Sequence, residues 1–227
     1  MTLYFKGKTD GFVRVQRADD NLWNFIDKQD NPLSPNMWFT FVGEFIDGFA
    51  HVRRKDGLWN FIDTEGNILS PNMWFLYADT FEENFASIQR KDGLWNLIDA
   101  KGDILSPNLW FAHATNFYKQ FAQVKRTTDG LWNYIDMNGN ILSPNMWFKH
   151  INNFNRSFAR VQRNEDEKWN IIDTKGNIIS PDIWFDYTLI YPRYLVGIIN
   201  SQKYFLGEDN KPHNMLMIND ATLYMPL

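Results

Sequence analysis

Residues 49–84 read FAHVRRKDGLWNFIDTEGNILSPNMWFLYADTFEEN, and the following 36 residues match them at about 21 positions. The shared residues fall into short extended segments separated by turn chemistry. Phe49 to Arg54 leads through Lys55-Asp56-Gly57-Leu58 into Trp59 to Asp63. An Asp-Gly pair between two strand-like runs signals a β-hairpin, because a type I′ turn needs positive φ at both central residues. Asp63 to Gly66 supplies a second turn, Asn67-Ile68-Leu69 reads as a third strand, and Ser70-Pro71 ends it, since proline has no N–H for the ladder. From Ser70 to Asn84 a helical turn followed by irregular chain is expected. Serine and proline suit an N-cap and first helical position there, and Trp74, Ala78 and Phe81 have helical spacing, although Trp74 to Phe81 also reads as an aromatic-rich strand.

A two-residue loop at Asp56-Gly57 predicts a definite register. Arg54 then faces Trp59, Val52 faces Phe61 and Ala50 faces Asp63, so an arginine lies over this tryptophan in each copy. Copies with one extra residue keep the pairing through a longer loop. Gly130 sits at a G1 bulge between Arg126 and Trp132, Asn21 takes the left-handed position, and Glu167 fits that position poorly. Asp27, Asp63, Asp99, Asp136 and Asp173 are expected to cap turn amides. Phe45, Phe81, Phe117, Phe154 and Tyr191 recur as anchors packing one copy on the next.

All ten tryptophans obey this repeat. Trp23, Trp59, Trp95, Trp132 and Trp169 are separated by 36, 36, 37 and 37 residues, and Trp38, Trp74, Trp110, Trp147 and Trp184 each follow fifteen residues later. Tandem periodicity of this length means a repeat architecture. The expected fold is all-β: about five antiparallel hairpin or meander units, in an open curved or superhelical array, with a closed five-bladed propeller as the alternative. One repeat domain over 1–227 is expected, with an N-terminal edge strand in 1–11 (Leu3-Tyr4-Phe5) and five repeats in 12–186. A degenerate repeat and cap fill 187–227, with strands near Tyr194, at Tyr204-Phe-Leu and at Thr222-Leu-Tyr-Met.

The pattern Trp-Asn-x-Ile-Asp-x-x-Gly, then Ile-Leu-x-Pro, a later Phe and Phe-Ala-x-Val resembles the bacterial WG repeat from about Phe12 to Phe185. Asn24, Asn60, Asn96, Asn133 and Asn170 stand where that family has glycine. The resemblance implies an all-β scaffold or accessory module and no catalytic residues. A row of asparagines hydrogen-bonding between copies is one consequence to look for.

Composition narrows the function classes. Aromatic residues make up 17% of the chain, enough to supply a large buried area at a mean hydropathy of -0.44. A net charge of -4 gives no footprint for nucleic acid or an anionic membrane. With no cysteine there is no disulfide or thiolate chemistry. The start lacks the features of a secretory signal and no apolar run would span a bilayer, so a cytoplasmic protein is expected. His51, His113, His150 and His213 form no metal or catalytic motif, and no enzyme activity, metal or cofactor is expected. The leading expectation is a scaffold for a protein partner, using variable positions on a fixed frame: Thr40-Phe-Val, Leu76-Tyr-Ala, Ala112-His-Ala, Lys149-His-Ile and Asp186-Tyr-Thr. The alternative is glycan binding by Trp38, Trp74, Trp110, Trp147 and Trp184, one aromatic platform per copy, against the reading that these rings are core.

Overall fold

A computed structural model describes residues 3–9, 11–206 and 212–214, and all regular structure among them is β. Six antiparallel sheets follow one another along the chain. The first comprises Leu3–Thr9, Phe12–Arg17 and Trp23–Ile26, and the second Phe41–Ile46, Phe49–Arg53 and Trp59–Asp63. The third comprises Tyr77–Ala78, Phe85–Gln89 and Trp95–Asp99, the fourth His113–Ala114, Phe121–Lys125 and Trp132–Asp136, and the fifth His150–Ile151, Phe158–Gln162 and Trp169–Asp173. The sixth has four strands: Tyr187–Ile190, Leu195–Ile199, Gln202–Leu206 and Pro212–Asn214. The chain is thus an all-β tandem array, with an N-terminal edge strand and a divergent last sheet. Thr222-Leu-Tyr-Met lies outside the described residues. Two compact units divide the chain, Met1–Gly130 with Tyr134–Ile141 and Leu131–Asn133 with Leu142–Leu227.

The sheets are phased differently from the sequence copies. Asn67-Ile68-Leu69 is not a strand; Ile62 and Ile68 share an isolated bridge. Ser70 to Asn84 holds no helix: the Met73 amide donates to the Ser70 carbonyl in a tight turn, Phe75 bridges Trp59, and Tyr77–Ala78 opens the next sheet. The second to sixth sheets therefore take their first strand from residues that follow a second tryptophan. Helical spacing was misleading because Trp74, Ala78 and Phe81 are called to three different contacts along an extended path.

The hairpin register is shifted by one. Arg53, not Arg54, faces Trp59, Val52 faces Asn60, and Ala50 faces Ile62. The loop holds three residues, Lys55-Asp56-Gly57, closed by Arg54 and Leu58, and only Gly57 has positive φ. That is a turn ending in a G1 bulge rather than a type I′ turn. The 37-residue copies add a residue, with Asn21, Gly130 and Glu167 in the left-handed position; the Gly130 amide donates to the Arg126 carbonyl across a four-residue loop. Side chains alternate along a strand, so the shift turns the tryptophan strand over. Trp59, Phe61 and Asp63 share a face with Phe49, His51 and Arg53, while Asn60 and Ile62 share the other with Val52 and Ala50.

Both faces carry core: Phe61, on the tryptophan face, clusters with Ala86, Ile88 and Ile98 of the third sheet, and the second face packs on the first sheet. Val42, Ala50, Val52 and Ile62 cluster with Phe25 of the first sheet, and Phe45 lies between, 4.8 Å from Phe25 and 5.3 Å from Phe12. Phe81 repeats the arrangement, 4.5 Å from Phe49 and 4.8 Å from Phe61, and Phe117 lies 4.7 Å from Phe85. In the second unit Phe154 is buried, whereas Tyr191 is exposed and stacks on Tyr194. Burying each phenylalanine contributes about 1.5–3 kcal/mol.

The asparagine after each first tryptophan is fully buried and works within its own copy, not between copies. Asn96 Nδ2 donates to the Ser106 carbonyl (2.8 Å) and the Leu109 carbonyl (3.1 Å), while its Oδ1 accepts from the Leu97 and Ser106 amides. Asn24, Asn60 and Asn170 make the same four bonds, and Asn133 the same contacts to Ser143 and Met146. Each asparagine thereby fastens the Ser-Pro turn to the third strand. Asn96→Ala leaves several buried groups unpaired, and urea unfolding of the full chain is expected to show a loss of about 2–4 kcal/mol.

Successive copies also meet at backbone. A Cβ on Gly66 would stand 2.0 Å from the Leu33 carbonyl oxygen, and one on Gly102 2.3 Å from that of Leu69, each from the preceding copy. Both glycines are also left-handed, with φ near +89°. In the first copy the equivalent residue is Asp30, at φ 62°, so no preceding carbonyl can approach it so closely. Reciprocal substitutions should separate the two constraints by denaturant unfolding: Gly102→Asp destabilises by roughly 3 kcal/mol or more, whereas Asp30→Gly is neutral or stabilises by up to about 1 kcal/mol.

Candidate functional site

The first tryptophans are half-buried, and Trp23, Trp59, Trp95 and Trp169 each close a cross-strand row. In the first unit these rows are Tyr4–Gln16–Trp23, Phe41–Arg53–Trp59 and Tyr77–Gln89–Trp95, followed by His113 opposite Lys125. In the second unit they are His150–Gln162–Trp169 and Tyr187–Ile198–Lys203. The leading residue lies eighteen positions after a first tryptophan in five cases, and is Phe41, Tyr77, His113, His150 or Tyr187. Phe41, Tyr77 and Tyr187 are 46%, 44% and 41% exposed, far beyond what a core aromatic shows.

The middle residue ties the row to its hairpin loop. Gln16, Gln89 and Gln162 donate through Nε2, and Arg53 through Nε, to the carbonyls of Asn21, Gly93, Glu167 and Gly57. These acceptors are the left-handed residues of the loops. Over this framework the rings meet at an angle. Phe41 and Trp59 are 5.5 Å apart and 65° inclined, Tyr77 and Trp95 5.4 Å and 51°. Trp95 also meets His113 at 5.0 Å. In the second unit Arg160 lies over Trp169 (4.6 Å) and Tyr187 (4.1 Å) and donates to the Tyr187 hydroxyl.

The second tryptophans occupy a different place. Trp38, Trp74, Trp110 and Trp147 are half-buried and Trp184 is buried. The arginine expected over the first tryptophan stacks on the second: Arg17 on Trp38, Arg54 on Trp74, Arg90 on Trp110 and Arg163 on Trp184, at 4.2–4.6 Å. The one-residue register shift explains the exchange. Each of these arginines is held in turn by a loop aspartate, Asp20, Asp56, Asp92 or Asp166, and Arg126 pairs with Asp129 likewise. The Arg163 hydrogen bond lowers the Asp166 carboxyl to about 2. Trp110 also donates its indole N–H to the Pro107 carbonyl. A guanidinium on one ring face leaves less of these indoles for a ligand than their sequence pattern suggests.

The repeated aspartates cap turns as expected. Asp63 Oδ1 accepts from the Glu65 and Asn67 amides and Oδ2 from Asn67 Nδ2; Asp27, Asp99, Asp136 and Asp173 likewise accept turn amides. Among the described residues no three His, Asp or Glu side chains gather as a metal site, and no helix is long and apolar enough to cross a membrane. Sequence reasoning named the variable triplets but missed that their middle residue is always a ring. That regularity was the available signal for the exposed rows.

No family model matches the chain, and no curated protein does. Among solved structures, BamB from Moraxella catarrhalis is similar at 12% identity and a TM-score of 0.35, covering 84% of this chain and 64% of its own. Thus the chain spans less than two thirds of that protein's length. Kluyveromyces lactis Hsv2 is similar at 8% identity and TM-score 0.38, covering 96% of this chain and 80% of its own. The computationally designed Ika4 protein is similar at 16% identity and TM-score 0.36, over 58% of this chain and 88% of its own.

His51 lies behind the second row, 5.1 Å from Phe61 and 6.1 Å from Trp59 in ring centroids, and its Nε2 is buried without a partner. Burial pushes its pKa below the ordinary 6.5, outweighing the opposing pull of Asp79. The unfolded chain takes up this proton first as pH falls, so the stability from a neutral His51 is present above about pH 6.5 and lost below it. His51→Phe should flatten that part of the stability–pH curve in urea titrations between pH 7.5 and 5; an unchanged slope would count against it.

Proposed function

We propose that this chain is a non-enzymatic repeat scaffold that holds a protein partner against its aromatic rows. One observation carries the reading: the variable positions of a constant frame place an exposed or part-exposed ring at the same point of successive sheets. Phe41 and Tyr77, 46% and 44% exposed, offer large aromatic area to a partner, as interface anchors do. A photo-crosslinking side chain at position 41 or 77 is expected to give a discrete protein adduct in extract of the source cells. The same group at the exposed Lys28 turn should give none. Equal or absent labelling at all three positions would refute this use of the rows.

A second reading, glycan binding, draws on the partial exposure of Trp38, Trp74, Trp110 and Trp147. Titration with soluble oligosaccharides, followed by tryptophan fluorescence, separates the two. Saturable quenching removed by Trp74→Phe supports the glycan site, and its absence supports the protein-partner reading.

A further inference from the structure

We infer that the rows of the first unit receive an acidic, proline-rich segment in the polyproline II conformation; this rests on the scaffold reading and names the chemistry of its partner. The inclined pairs Phe41/Trp59 and Tyr77/Trp95 make notches rather than flat platforms. A notch between two aromatic rings accepts a pyrrolidine edge-on, and aromatic-lined grooves are the established receptors of this conformation. A pyranose face needs an open ring plane. Trp59 has one face under the Arg53 guanidinium, and Trp95 is flanked by both Tyr77 and His113.

Hydrogen bonding points the same way. The indole N–H groups of Trp23, Trp59 and Trp95 have no acceptor among the described residues and are not among the buried unpaired atoms. They are donors open to solvent beside each notch. A polyproline II chain has no internal hydrogen bonds and presents its carbonyls outward, so it supplies the missing acceptors.

Spacing and charge complete the argument. Tyr77 and His113, equivalent residues of successive copies, both lie against Trp95, at 5.4 and 5.0 Å, which places them no more than about 10 Å apart. One polyproline II turn advances about 9 Å, so a single turn suffices to pass from one row to the next. These rows carry Gln16, Arg53, Gln89 and Lys125 and no acidic member, while the Asp79 carboxylate lies near enough to Tyr77 and His51 to act on both. Arg53 has no carboxylate partner among the described residues. Arg53, beside the Phe41/Trp59 notch, therefore favours an acidic segment over a basic one.

The test is fluorescence anisotropy of the full chain with labelled (Pro-Pro-Glu)4 and (Pro-Pro-Lys)4 peptides. Saturable binding of the glutamate peptide is expected, at least about tenfold tighter than the lysine peptide and weakened by added salt. Phe41→Ala and Tyr77→Ala should each weaken it about fivefold or more, with Leu109→Ala, outside the rows, as the unchanged control. No binding of the glutamate peptide, equal binding of both peptides, indifference to both row variants, or displacement by cellohexaose overturns the inference. If position 41 or 77 still crosslinks a protein while neither peptide binds, this inference fails and the scaffold reading stands.

Discussion

A buried asparagine amide in every copy is the interaction on which the other features hang. Asn60 is fully buried in its strand, and its four hydrogen bonds draw the Ser70-to-Met73 turn against that strand. The turn in turn brings Phe75 into a bridge with Trp59 and sends the chain out as the first strand of the next sheet. It also sets Trp74 where Arg54 can stack on it. A buried amide left half-satisfied costs more than it contributes, so the clamp tolerates few alternatives. The neighbouring tryptophan, pointing to the opposite face, is consequently directed to the side where the aromatic rows form.

Copy-to-copy contact uses two kinds of constraint. Phenylalanine anchors such as Phe45 and Phe81 fill the space between copies, while the glycines at 66 and 102 let a carbonyl of the preceding copy come closer than any side chain would permit. The turns joining first and second strands carry their own cost. Glu83-Asn84 and Lys119-Gln120 have positive φ at both residues, as does Asp47-Gly48. Part of that cost is offset where the Glu83 carboxylate accepts the Lys119 and Gln120 amides of the next copy, each at 3.0 Å. Strain in residues with a Cβ is thus held by contact with a neighbouring copy.

The aromatic rows follow from the same frame. Their loop-facing residues are fixed by hydrogen bonds to left-handed loop carbonyls, and their leading rings lie at positions free to vary. The second tryptophans, by contrast, are engaged with arginine and aspartate in their own copy. The rows are thus rigid beneath and variable on top, at the triplets that include Phe41 and Tyr77.

Periodicity, turn residues and aspartate positions were enough to establish a tandem all-β chain, its hairpins, the Asp27-type caps, the anchor role of Phe81 and the left-handed setting of Asn21 and Glu167. Such features depend on residues close in sequence and recur in every copy, so local chemistry defines them. The register between Phe49 and Asp63 was not legible, because Asp-Gly suits both a two-residue turn and the bulged three-residue turn that forms, and the choice rests on which side chains, Asn60 among them, meet which neighbouring segment. The same holds for the route from Ser70 to Phe81, which Asn60 directs from ten residues away, and for which tryptophan meets the arginine. These outcomes depend on contacts between separate strands and sheets, where one residue of register decides which neighbouring strands an indole meets.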